Sequence, residues 1–190
     1  MKNQLLVLVD IQNDYFTGGK MELYHMKAAS ENAALLLSLF RERNWPLVHI
    51  QHISLKADAS FFVRGSIGVE IHSSVLPLKD ERVVQKNFPN SFRETNLLEI
   101  LKSHNINELV ICGAMSHMCI DTTTRAACDL GYPVTLIHDA CATRAVTFNN
   151  QVVEAANVQA AYMGALDGSF AKVISTSEYL FSLNDYQDKS

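Results

Sequence analysis

Short, continuously apolar segments recur along the chain, and they constrain its fold more than any other feature of the sequence. The first, residues 5–9, reads Leu-Leu-Val-Leu-Val and ends at Asp10. A run this short, without alternation of polar and apolar residues, is typical of a strand that is buried on both faces of a parallel sheet. Similar runs occur at residues 46–52, 83–86, 108–112, 133–138 and 172–175.

Segments with helical spacing lie between these runs, at residues 26–43, 92–104, 117–130, 149–163 and 177–183. Strands that alternate with helices predict βαβ units with right-handed crossovers. We therefore expect an α/β fold of the doubly wound, Rossmann-like three-layer type, with a mostly parallel sheet of about six strands flanked by helices. Because no linker interrupts the alternation, residues 1–190 are predicted to form a single domain. The irregular stretch 54–80 exceeds ordinary loop length and is predicted to be a binding loop or lid.

The composition argues against several classes of protein. Of 190 residues, 48% are hydrophobic and 19% charged, which is typical of a globular chain. With 16 Lys and Arg against 20 Asp and Glu, the net charge is -4, so we expect no nucleic-acid partner. No apolar stretch approaches the roughly 20 residues of a membrane span, and the first run is too short for a signal peptide. We expect no membrane partner, a cytoplasmic location and reduced thiols at the four cysteines.

Polar residues that follow three of the predicted strands form a candidate site. Asp10 follows the first strand, Lys86 ends the third, and Cys119 follows the fourth, in the first turn of a predicted helix with Ser116 as its N-cap. Ligands of open α/β sheets bind beyond the carboxyl ends of the strands, so these side chains are expected at one edge. A helix N-terminus and a nearby Lys lower the pKa of a thiol, and a carboxylate can accept its proton. These are the components of covalent acyl transfer.

Each of these residues also has an ordinary structural interpretation. A cysteine in an apolar helix is most often a small core residue. An Asp after a strand is often a turn residue, and a Lys in that position is usually solvated. The residue types alone leave both interpretations open.

Several motifs in a fixed order carry a resemblance to a known family. The first reads Asp-Ile-Gln-Asn-Asp-Tyr-Phe and is followed by two glycines. The motifs occupy residues 10–16 with 18–19, 83–86 with 91–92, 113–127, 131–134 and 138–142. Over roughly residues 5–180, the chain resembles the isochorismatase-like cysteine hydrolases, the group that includes nicotinamidases and N-carbamoylsarcosine amidohydrolase.

The resemblance implies a catalytic triad of Asp10, Lys86 and Cys119. It also implies a cis peptide bond between Ala114 and Met115, which would turn the Met115 N–H toward an oxyanion, beside the N–H of Cys119. The implied reaction is hydrolysis of a C–N bond in a small amide, ureido or carbamoyl compound through a Cys thioester, with no cofactor. The expected partners are therefore a small-molecule substrate and, because the family resemblance implies self-association, further copies of the chain in a homo-oligomer.

Two differences from other members of the family narrow the range of expected substrates. Nicotinamidases of the family carry an Asp-x-His metal motif after the second strand, whereas residues 49–54 read His-Ile-Gln-His-Ile-Ser. His49 and His52 are three residues apart and would point to opposite faces of a strand, so we expect no metal site, and nicotinamide is disfavoured as substrate. Isochorismatases that cleave a vinyl ether lack the catalytic cysteine, so Cys119 favours C–N hydrolysis, with isochorismatase-type hydrolysis as the alternative.

Aromatic and basic residues near the predicted site are candidates for substrate binding. They are Tyr15, Phe16, Phe61, Phe62, Arg64 and His117. The aromatic rings can stack on a planar substrate, and the two basic side chains can bind a carboxylate. Core packing is the alternative for the aromatic residues, and solvation is the alternative for the basic ones.

Two functions other than hydrolysis stay open. An activated Cys119 would also oxidise readily, as in a thiol redox or sensing protein. That function needs a nearby resolving cysteine, and Cys112 or Cys141 would have to move to serve as one. We interpret Cys112, in a buried strand, Cys128, in a helix, and Cys141, in a loop, as structural. The other alternative is a binding protein that has lost catalysis on the same fold, and the complete Asp, Lys and Cys set argues against it.

Overall fold

A computed structural model describes residues 3–184 and contains six strands in one parallel sheet, with a two-stranded hairpin beside it. In chain order the strands are β1 (Gln4–Val9), β2 (Leu47–His52), β3 (Arg82–Lys86), β4 (Glu108–Ala114), β5 (Val134–Ala142), β6 (Val146–Phe148), β7 (Gln151–Val153) and β8 (Lys172–Ile174). The sheet order is β3-β2-β1-β4-β5-β8, with all neighbours parallel, and β6 pairs with β7 in the antiparallel hairpin. The predicted α/β fold is confirmed.

Helices cover both faces of the sheet. They are α1 (Met26–Glu42), α2 (Leu97–Ser103), α3 (Asp121–Asp129), α4 (Ala155–Leu166) and α5 (Thr176–Asn184). Phe40 of α1 and Tyr179 of α5 belong to one hydrophobic core. Leu101 of α2, Ala127 of α3 and Met163 of α4 belong to the other. Within residues 3–184, none of the helices has the length and apolar character needed to cross a bilayer.

The apolar run at the start of the chain is shared between these two cores. Leu6 and Leu8 of β1 lie in the core with α1 and α5, whereas Leu5, Val7 and Val9 lie in the opposite core. All five side chains are buried. Burial of an aliphatic side chain of this size contributes about 1.5–3 kcal/mol, so a polar residue on either face would be destabilising. This is why the run lacks alternation.

The strand order creates a crevice at the carboxyl ends of β1 and β4. From β1 the chain moves outward through β2 to β3, and then returns to the other side of β1 for β4, β5 and β8. The connections after β1 and β4 therefore lead to opposite faces of the sheet. Such a point of reversal is where α/β sheets bind their ligands.

Two of the predicted helices start later than the sequence pattern indicated. The segment predicted as helix 149–163 begins with the turn and second strand of the hairpin, and α4 starts at Ala155. Asn149 and Asn150 have φ angles of 48° and 60°, which suit a two-residue hairpin turn. The predicted helix 92–104 is helical only over α2, because Glu94 has a φ of 55°, outside the helical region.

Candidate active site

The ends of three strands bring the side chains of Asp10, Lys86 and Cys119 together. Asp10 follows β1 with a φ of 52°, and this left-handed conformation turns the chain out of the sheet. Lys86 is the last residue of β3, two strands away, and its long side chain reaches across the end of β2. Cys119 lies in a single π turn, Ser116–Ile120, between β4 and α3. Strand order, rather than distance along the sequence, produces the contact.

The Lys86 ammonium lies at the centre of this group. Its Nζ atom is 2.8 Å from Asp10 Oδ2 and 3.2 Å from Cys119 Sγ. It also donates to the Phe88 carbonyl oxygen at 3.1 Å and lies 3.0 Å from His52 Nδ1. The contact with Asp10 is an ion pair outside hydrogen-bond geometry, and neither carboxylate oxygen receives a directed hydrogen bond from residues 3–184. We call Asp10, His52, Lys86 and Cys119 the ammonium cluster.

Burial controls the protonation of the cluster. Asp10 is 0% exposed, Lys86 1% and Cys119 4%. Burial raises the pKa of the Cys119 thiol to about 12, the charge of Asp10 adds to the increase, and Lys86 opposes it. Burial alone disfavours the charged form of Lys86, but the negative charges of Asp10 and Cys119 outweigh it and raise the pKa of the ammonium. At neutral pH a neutral thiol therefore lies beside an ammonium group.

The protonation of Cys119 differs from the sequence-based expectation that its helix terminus and Lys86 would lower the thiol pKa. Ser116 is not the N-cap, because Met115 occupies that position. The Ser116 hydroxyl instead lies 2.6 Å from Gln159 Oε1 and 3.1 Å from the carbonyl oxygen of Ala142, two acceptors for its one hydrogen. Burial outweighs the effect of the ammonium on the thiol pKa, so a thiolate would form here only if a base took the proton.

The backbone before Cys119 leaves β4 in an unusual conformation. The peptide bond between Ala114 and Met115 is cis, and Gly113 has a φ of 125°. A Cβ atom at Gly113 would overlap the carbonyl oxygen of Val9, so glycine is needed for β4 to lie this close to β1. Together these features set the direction in which the chain runs from β4 to Cys119.

His52 is a member of the ammonium cluster that sequence reasoning missed. It is the last residue of β2 and pairs in register with Lys86 on β3. Paired side chains of neighbouring strands point to the same face, which brings His52 Nδ1 to 3.0 Å from Lys86 Nζ and 4.0 Å from Asp10 Oδ2. Burial lowers the pKa of His52, an effect that Asp10 opposes and Lys86 reinforces. The sequence predicts that His52 ends a strand, which places it near the edge of the sheet where the site lies. The strand register that pairs His52 with Lys86 cannot be read from the sequence.

Three side chains of the cluster carry atoms suited to binding a metal. Asp10, His52 and Cys119 offer one ligand atom each, all within 4.8 Å of one another. Carboxylate, imidazole and thiolate groups bind Zn²⁺ in proteins. Lys86 Nζ lies 2.8 Å from Asp10 Oδ2, 3.0 Å from His52 Nδ1 and 3.2 Å from Cys119 Sγ. The ammonium group therefore already occupies the position that a metal ion would take among these ligand atoms. The residues therefore do not fit a resident metal, and the expected absence of a metal stays a prediction.

Two of the predicted aromatic residues lie close to the cluster. Tyr15 and Phe62 are buried, with ring centroids 4.6 Å apart, and the Phe62 ring is 5.8 Å from that of His52. Burial, followed by the charges of Cys119 and Asp10, raises the pKa of the Tyr15 phenol. These two rings form an apolar wall next to the reactive groups.

Phe16 lies apart from the cluster, whereas Phe61 packs on the wall, with its ring centroid 6.1 Å from that of Tyr15 and 5.0 Å from that of Phe62. Phe16 stacks on His72 with ring centroids 3.5 Å apart. Phe16, Phe61 and His72 line a cavity of about 560 Å³ between the loop after β1 and the irregular stretch 54–80, which we call the long loop. No residue of the ammonium cluster lines this cavity. A role for Phe16 and Phe61 in substrate binding stays a prediction.

The two predicted basic residues also differ in position. Arg64 is exposed and forms no hydrogen bond or ion pair within residues 3–184. His117 lies in the π turn, where its Nδ1 is 2.6 Å from Thr143 Oγ1. Burial and then the charge of Arg144 lower the pKa of His117, and the same Arg144 charge acts on Tyr15. Arg144 was not considered from the sequence, although it follows β5 at the same edge of the sheet.

Gln12 belongs to the opening motif, residues 10–16, and joins the end of β2 to the long loop. Its Nε2 donates to the carbonyl oxygens of His52 at 2.9 Å and Val69 at 2.7 Å. Its Oε1 accepts the N–H of His52 at 2.8 Å. This buried amide therefore fixes the backbone that carries the His52 imidazole.

Asp14 of the same motif anchors the middle of the long loop. Its Oδ2 accepts the N–H of Phe62 at 2.6 Å, and its Oδ1 accepts the N–H of Lys20 at 3.2 Å. A Cβ atom at Gly68 would overlap the Asp14 carboxylate, so the loop approaches this side chain closely on a second side. The anchor holds Phe62 in the wall of the site.

The four cysteines are free thiols. Cys112 of β4 and Cys141 of β5 are buried, and Cys128 on α3 is half-buried. Burial raises the pKa of Cys141 to about 12 and that of Cys112 well above its usual range. Both buried thiols therefore stay protonated, as expected of structural cysteines.

Known proteins resemble this chain in both sequence and fold. Residues 4–178 match the Isochorismatase domain family. The uncharacterized isochorismatase family protein YddQ of Bacillus subtilis is 47% identical over 175 residues, 92% of this chain and 97% of that protein. An isochorismatase-family structure from Oleispira antarctica has a TM-score of 0.90 at 47% identity, over 94% of this chain and 96% of that chain. A streptothricin hydrolase of Streptomyces noursei is 32% identical over 140 residues, 74% of this chain and 50% of that protein.

Proposed function

The chain belongs to the isochorismatase family of hydrolases, and we propose that it is a cysteine hydrolase acting on a small molecule. The bond cleaved is a C–N bond of a small amide, ureido or carbamoyl compound. Cys119 is the nucleophile, Asp10 is the general acid and base, and Lys86 stabilises the negative charge that moves between them. The streptothricin hydrolase among its relatives supports hydrolysis of a small compound as the class of reaction.

The position of Lys86 is the observation that carries this proposal. One buried ammonium lies within 3.2 Å of a carboxylate and a thiol that come from two other segments of the chain. Burying an ion costs several kcal/mol unless it is paired, and a purely structural cysteine gains nothing from this arrangement. We infer that the ammonium is buried here because it stabilises a thiolate that forms during the reaction.

The first half of the reaction uses Asp10 as a base. Its carboxylate takes the proton from Cys119 Sγ while the sulfur attacks the substrate carbonyl carbon, forming the S–C bond and a tetrahedral oxyanion. Asp10 then gives the proton to the substrate nitrogen as the C–N bond breaks. Ammonia or an amine leaves, and a thioester on Cys119 remains.

Backbone N–H groups stabilise the oxyanion in this scheme. The N–H groups of Met115 and Cys119 are the donors, since Met115 is the N-cap of the π turn after β4 and Cys119 lies within that turn. Donors held in place before the reaction need no rearrangement when the charge develops. Tyr15 and Phe62 are buried beside the cluster and exclude water from the reacting atoms.

The second half of the reaction regenerates the enzyme. Asp10 removes a proton from a water molecule, whose oxygen attacks the thioester carbon. The S–C bond breaks, the acid product leaves, and the proton on Asp10 returns to Cys119. Lys86 holds its positive charge throughout and so stabilises the carboxylate and the thiolate in turn.

An ammonia-release screen over small amides, ureas and carbamoyl compounds tests the function. We expect release by the wild-type protein and a loss of at least about 10³-fold in the Cys119→Ala variant. Cys128→Ala, which removes a half-buried thiol on α3, is the matched control and should keep full activity. Activity that survives in Cys119→Ala would contradict the assignment.

Trapping of the intermediate gives a second readout. An electrophilic amide analogue should add its mass to one peptide, the one that contains Cys119. Modification of another cysteine in place of Cys119 would contradict the proposed nucleophile.

We also propose that the protein forms a homo-oligomer through the β6–β7 hairpin. Phe148 is 76% exposed and Val152 60%. A lone two-stranded hairpin is at best marginally stable in water, and exposed apolar side chains of this size favour a protein contact. The adjacent helix α4 exposes small side chains, including Ala161 and Ala165, which permit close approach of a second copy.

A further inference from the structure

Each of the three N–H groups of the Lys86 ammonium has one acceptor. The acceptors are His52 Nδ1 at 3.0 Å, the Phe88 carbonyl oxygen at 3.1 Å and Cys119 Sγ at 3.2 Å. An ammonium group has three hydrogens to donate, so this set uses all of them. The three N–H directions are fixed relative to one another, so the place of one acceptor constrains the bonds to the other two. The Phe88 carbonyl therefore influences how Lys86 faces the sulfur.

The Phe88 carbonyl lies on a stiff segment, residues 87–92, which we call the lysine loop. At its start, Asn87 Nδ2 donates to the carbonyl oxygen of Ile53 at 2.7 Å. Pro89 follows Phe88 directly. Its ring fixes its own φ angle and keeps the preceding residue away from helical conformations. The direction of the Phe88 carbonyl therefore depends on where the two ends of the lysine loop are held.

The Thr123 hydroxyl holds the far end of the lysine loop. Its oxygen accepts the N–H of Ser91 at 3.1 Å, and its hydrogen is donated to Ser91 Oγ at 2.9 Å. The Pro89 carbonyl oxygen lies farther from the same hydroxyl, at 3.5 Å. Ser91 and Thr123 are both 0% exposed, so water cannot replace these bonds if the hydroxyl is removed.

Thr123 belongs to the helix that follows the proposed nucleophile. Helix α3 continues directly from the π turn that carries Cys119, and Thr123 comes four residues after this cysteine. The lysine loop follows β3, whereas the π turn follows β4, and β2 and β1 lie between these two strands in the sheet. One buried hydroxyl thus joins the segment that directs Lys86 to the helix that holds the sulfur.

We propose that Thr123 is a positioning residue that, through Ser91 and the lysine loop, aims the Lys86 ammonium at the sulfur of Cys119. Thr123 does not touch the substrate in this role. Its hydroxyl holds Ser91, the loop then fixes the Phe88 carbonyl, and the N–H group directed at Cys119 is in place when the thiolate forms. The inference rests on the proposed function, because it gives Thr123 a role in stabilising that thiolate.

Three variants of nearly equal size separate the hydrogen bonds of Thr123 from its packing. Thr123→Val replaces the hydroxyl by a methyl group, and Thr123→Ser keeps the hydroxyl. The matched control is Thr124→Val, at the next residue of α3. Thr124 is also 0% exposed, but its Oγ1 has no hydrogen-bond partner within residues 3–184, so this change removes no such bond.

The rate at which iodoacetamide alkylates Cys119 at pH 8 reports how well the thiolate is stabilised. We expect Thr123→Val to react about threefold to tenfold more slowly than the wild-type protein, which is the effect of one weakened hydrogen bond to the sulfur. Thr123→Ser and Thr124→Val should stay within about twofold of wild type. A purely structural role would loosen the site and speed the reaction, so the direction of the change is diagnostic. Equal or faster alkylation in Thr123→Val, or a slowing of the same size in Thr123→Ser or Thr124→Val, would overturn the inference.

Turnover and a milder variant give two further readouts. We expect kcat for ammonia release to fall by the same factor in Thr123→Val with KM unchanged, because the lost interaction belongs to the thiolate and not to the bound substrate. A rise in KM alone would contradict the inference. Ser91→Ala keeps the Ser91 N–H bond and removes only Oγ, and it should slow alkylation of Cys119 by about twofold or more. Unchanged or faster alkylation in Ser91→Ala would overturn the inference even if Thr123→Val does not fold.

Peptide mass spectrometry distinguishes this inference from the proposed function. If Cys119 is alkylated at equal rates in wild type, Thr123→Val and Thr124→Val, Thr123 has no positioning role and the assignment of Cys119 as nucleophile stands. If other cysteines of the wild-type protein are alkylated and Cys119 is not, both proposals are wrong.

Discussion

At the scale of single residues, Lys86 and Asp10 depend on each other. Both are fully buried, and an isolated charge in such a place would be strongly unfavourable. The ion pair at 2.8 Å lets both groups stay charged without solvent. In the proposed reaction the same pair supplies the base, because a carboxylate that receives no hydrogen bond from an N–H group within residues 3–184 readily accepts a proton.

Replacing Lys86 with Met should damage both activity and stability. We expect ammonia release to fall at least about 10³-fold, since neither Asp10 nor the thiolate keeps a compensating charge. The free energy of unfolding in urea should fall by about 3–5 kcal/mol, because Asp10 is left as an unpaired buried charge. Lys102→Met, on the exposed face of α2, is the control and should change neither quantity. Retention of activity in Lys86→Met would contradict the proposed role.

Glu81 gives a pH-dependent contribution to stability at the opposite end of the sheet from the cluster. It pairs with Arg41, accepts the Leu78 N–H and contacts His49. Burial by itself raises the pKa of Glu81. Its hydrogen bonds with Arg41, Leu78 and His49 outweigh burial and lower the pKa to about 2. Because the pKa is lower in the folded chain, the contribution is complete above the unfolded pKa of about 4.3 and is lost as the pH falls toward 2.

The measurement compares urea unfolding of wild-type and Glu81→Gln protein between pH 2.5 and pH 6. We expect the wild-type protein to be more stable at pH 6, and this advantage should shrink steadily below about pH 4.5. Glu99→Gln, an exposed change on α2, is the control. An advantage of the same size at pH 2.5 and pH 6 would contradict the role assigned to Glu81.

At the scale of elements, the opening motif has two structural roles. Asp10 belongs to the ammonium cluster, while Gln12 and Asp14 bond the long loop to the end of β1. The loop contains only short 3₁₀ turns as regular structure, at Ile67–Val69 and Ser73–Val75. Its position therefore depends on bonds to the opening motif, both these side-chain anchors and two backbone hydrogen bonds, from Asn13 N–H to the Glu70 carbonyl at 3.0 Å and from His72 N–H to the Ile11 carbonyl at 2.9 Å.

Asp14→Asn should loosen the loop without altering the ammonium cluster. It replaces a charged acceptor by an amide, and we expect the free energy of unfolding to fall by about 1.5–3 kcal/mol. The Phe62 N–H should exchange with deuterium faster, because it loses its acceptor at 2.6 Å. Asp58→Asn, an exposed change in the same loop, is the control. Unchanged exchange at Phe62 would show that other contacts hold the loop.

At the scale of the whole molecule, self-association through the hairpin has a direct test. We expect light scattering to give the wild-type protein a mass of at least two chains. The double variant Phe148→Lys/Val152→Lys should give the mass of one chain, because charged side chains cannot be buried unpaired in the contact. Leu55→Lys removes an equally exposed apolar side chain from the long loop and should leave the mass unchanged. An oligomer that survives the double variant would contradict the proposed contact.

The fold was largely predictable because its signals are local. Residues 5–9 are apolar throughout since β1 faces two cores, and this burial leaves its mark directly on the sequence. The hairpin was not predictable by the same means. Its turn at Asn149 and Asn150 lies next to an alanine-rich segment with helical spacing, and the pattern extended the predicted helix across it.

The sequence by itself determined the six strands, the edge at which a site would lie, and the candidates Asp10, Lys86 and Cys119. Only the tertiary structure decided that His52 joins them, that Phe16 and Phe61 face a separate cavity, and that the Cys119 thiol is held neutral. The physical reason is that hydrophobic periodicity is written along the chain. Contacts between polar side chains and the burial of their charges depend instead on strand order and register, which arise when distant segments pack together.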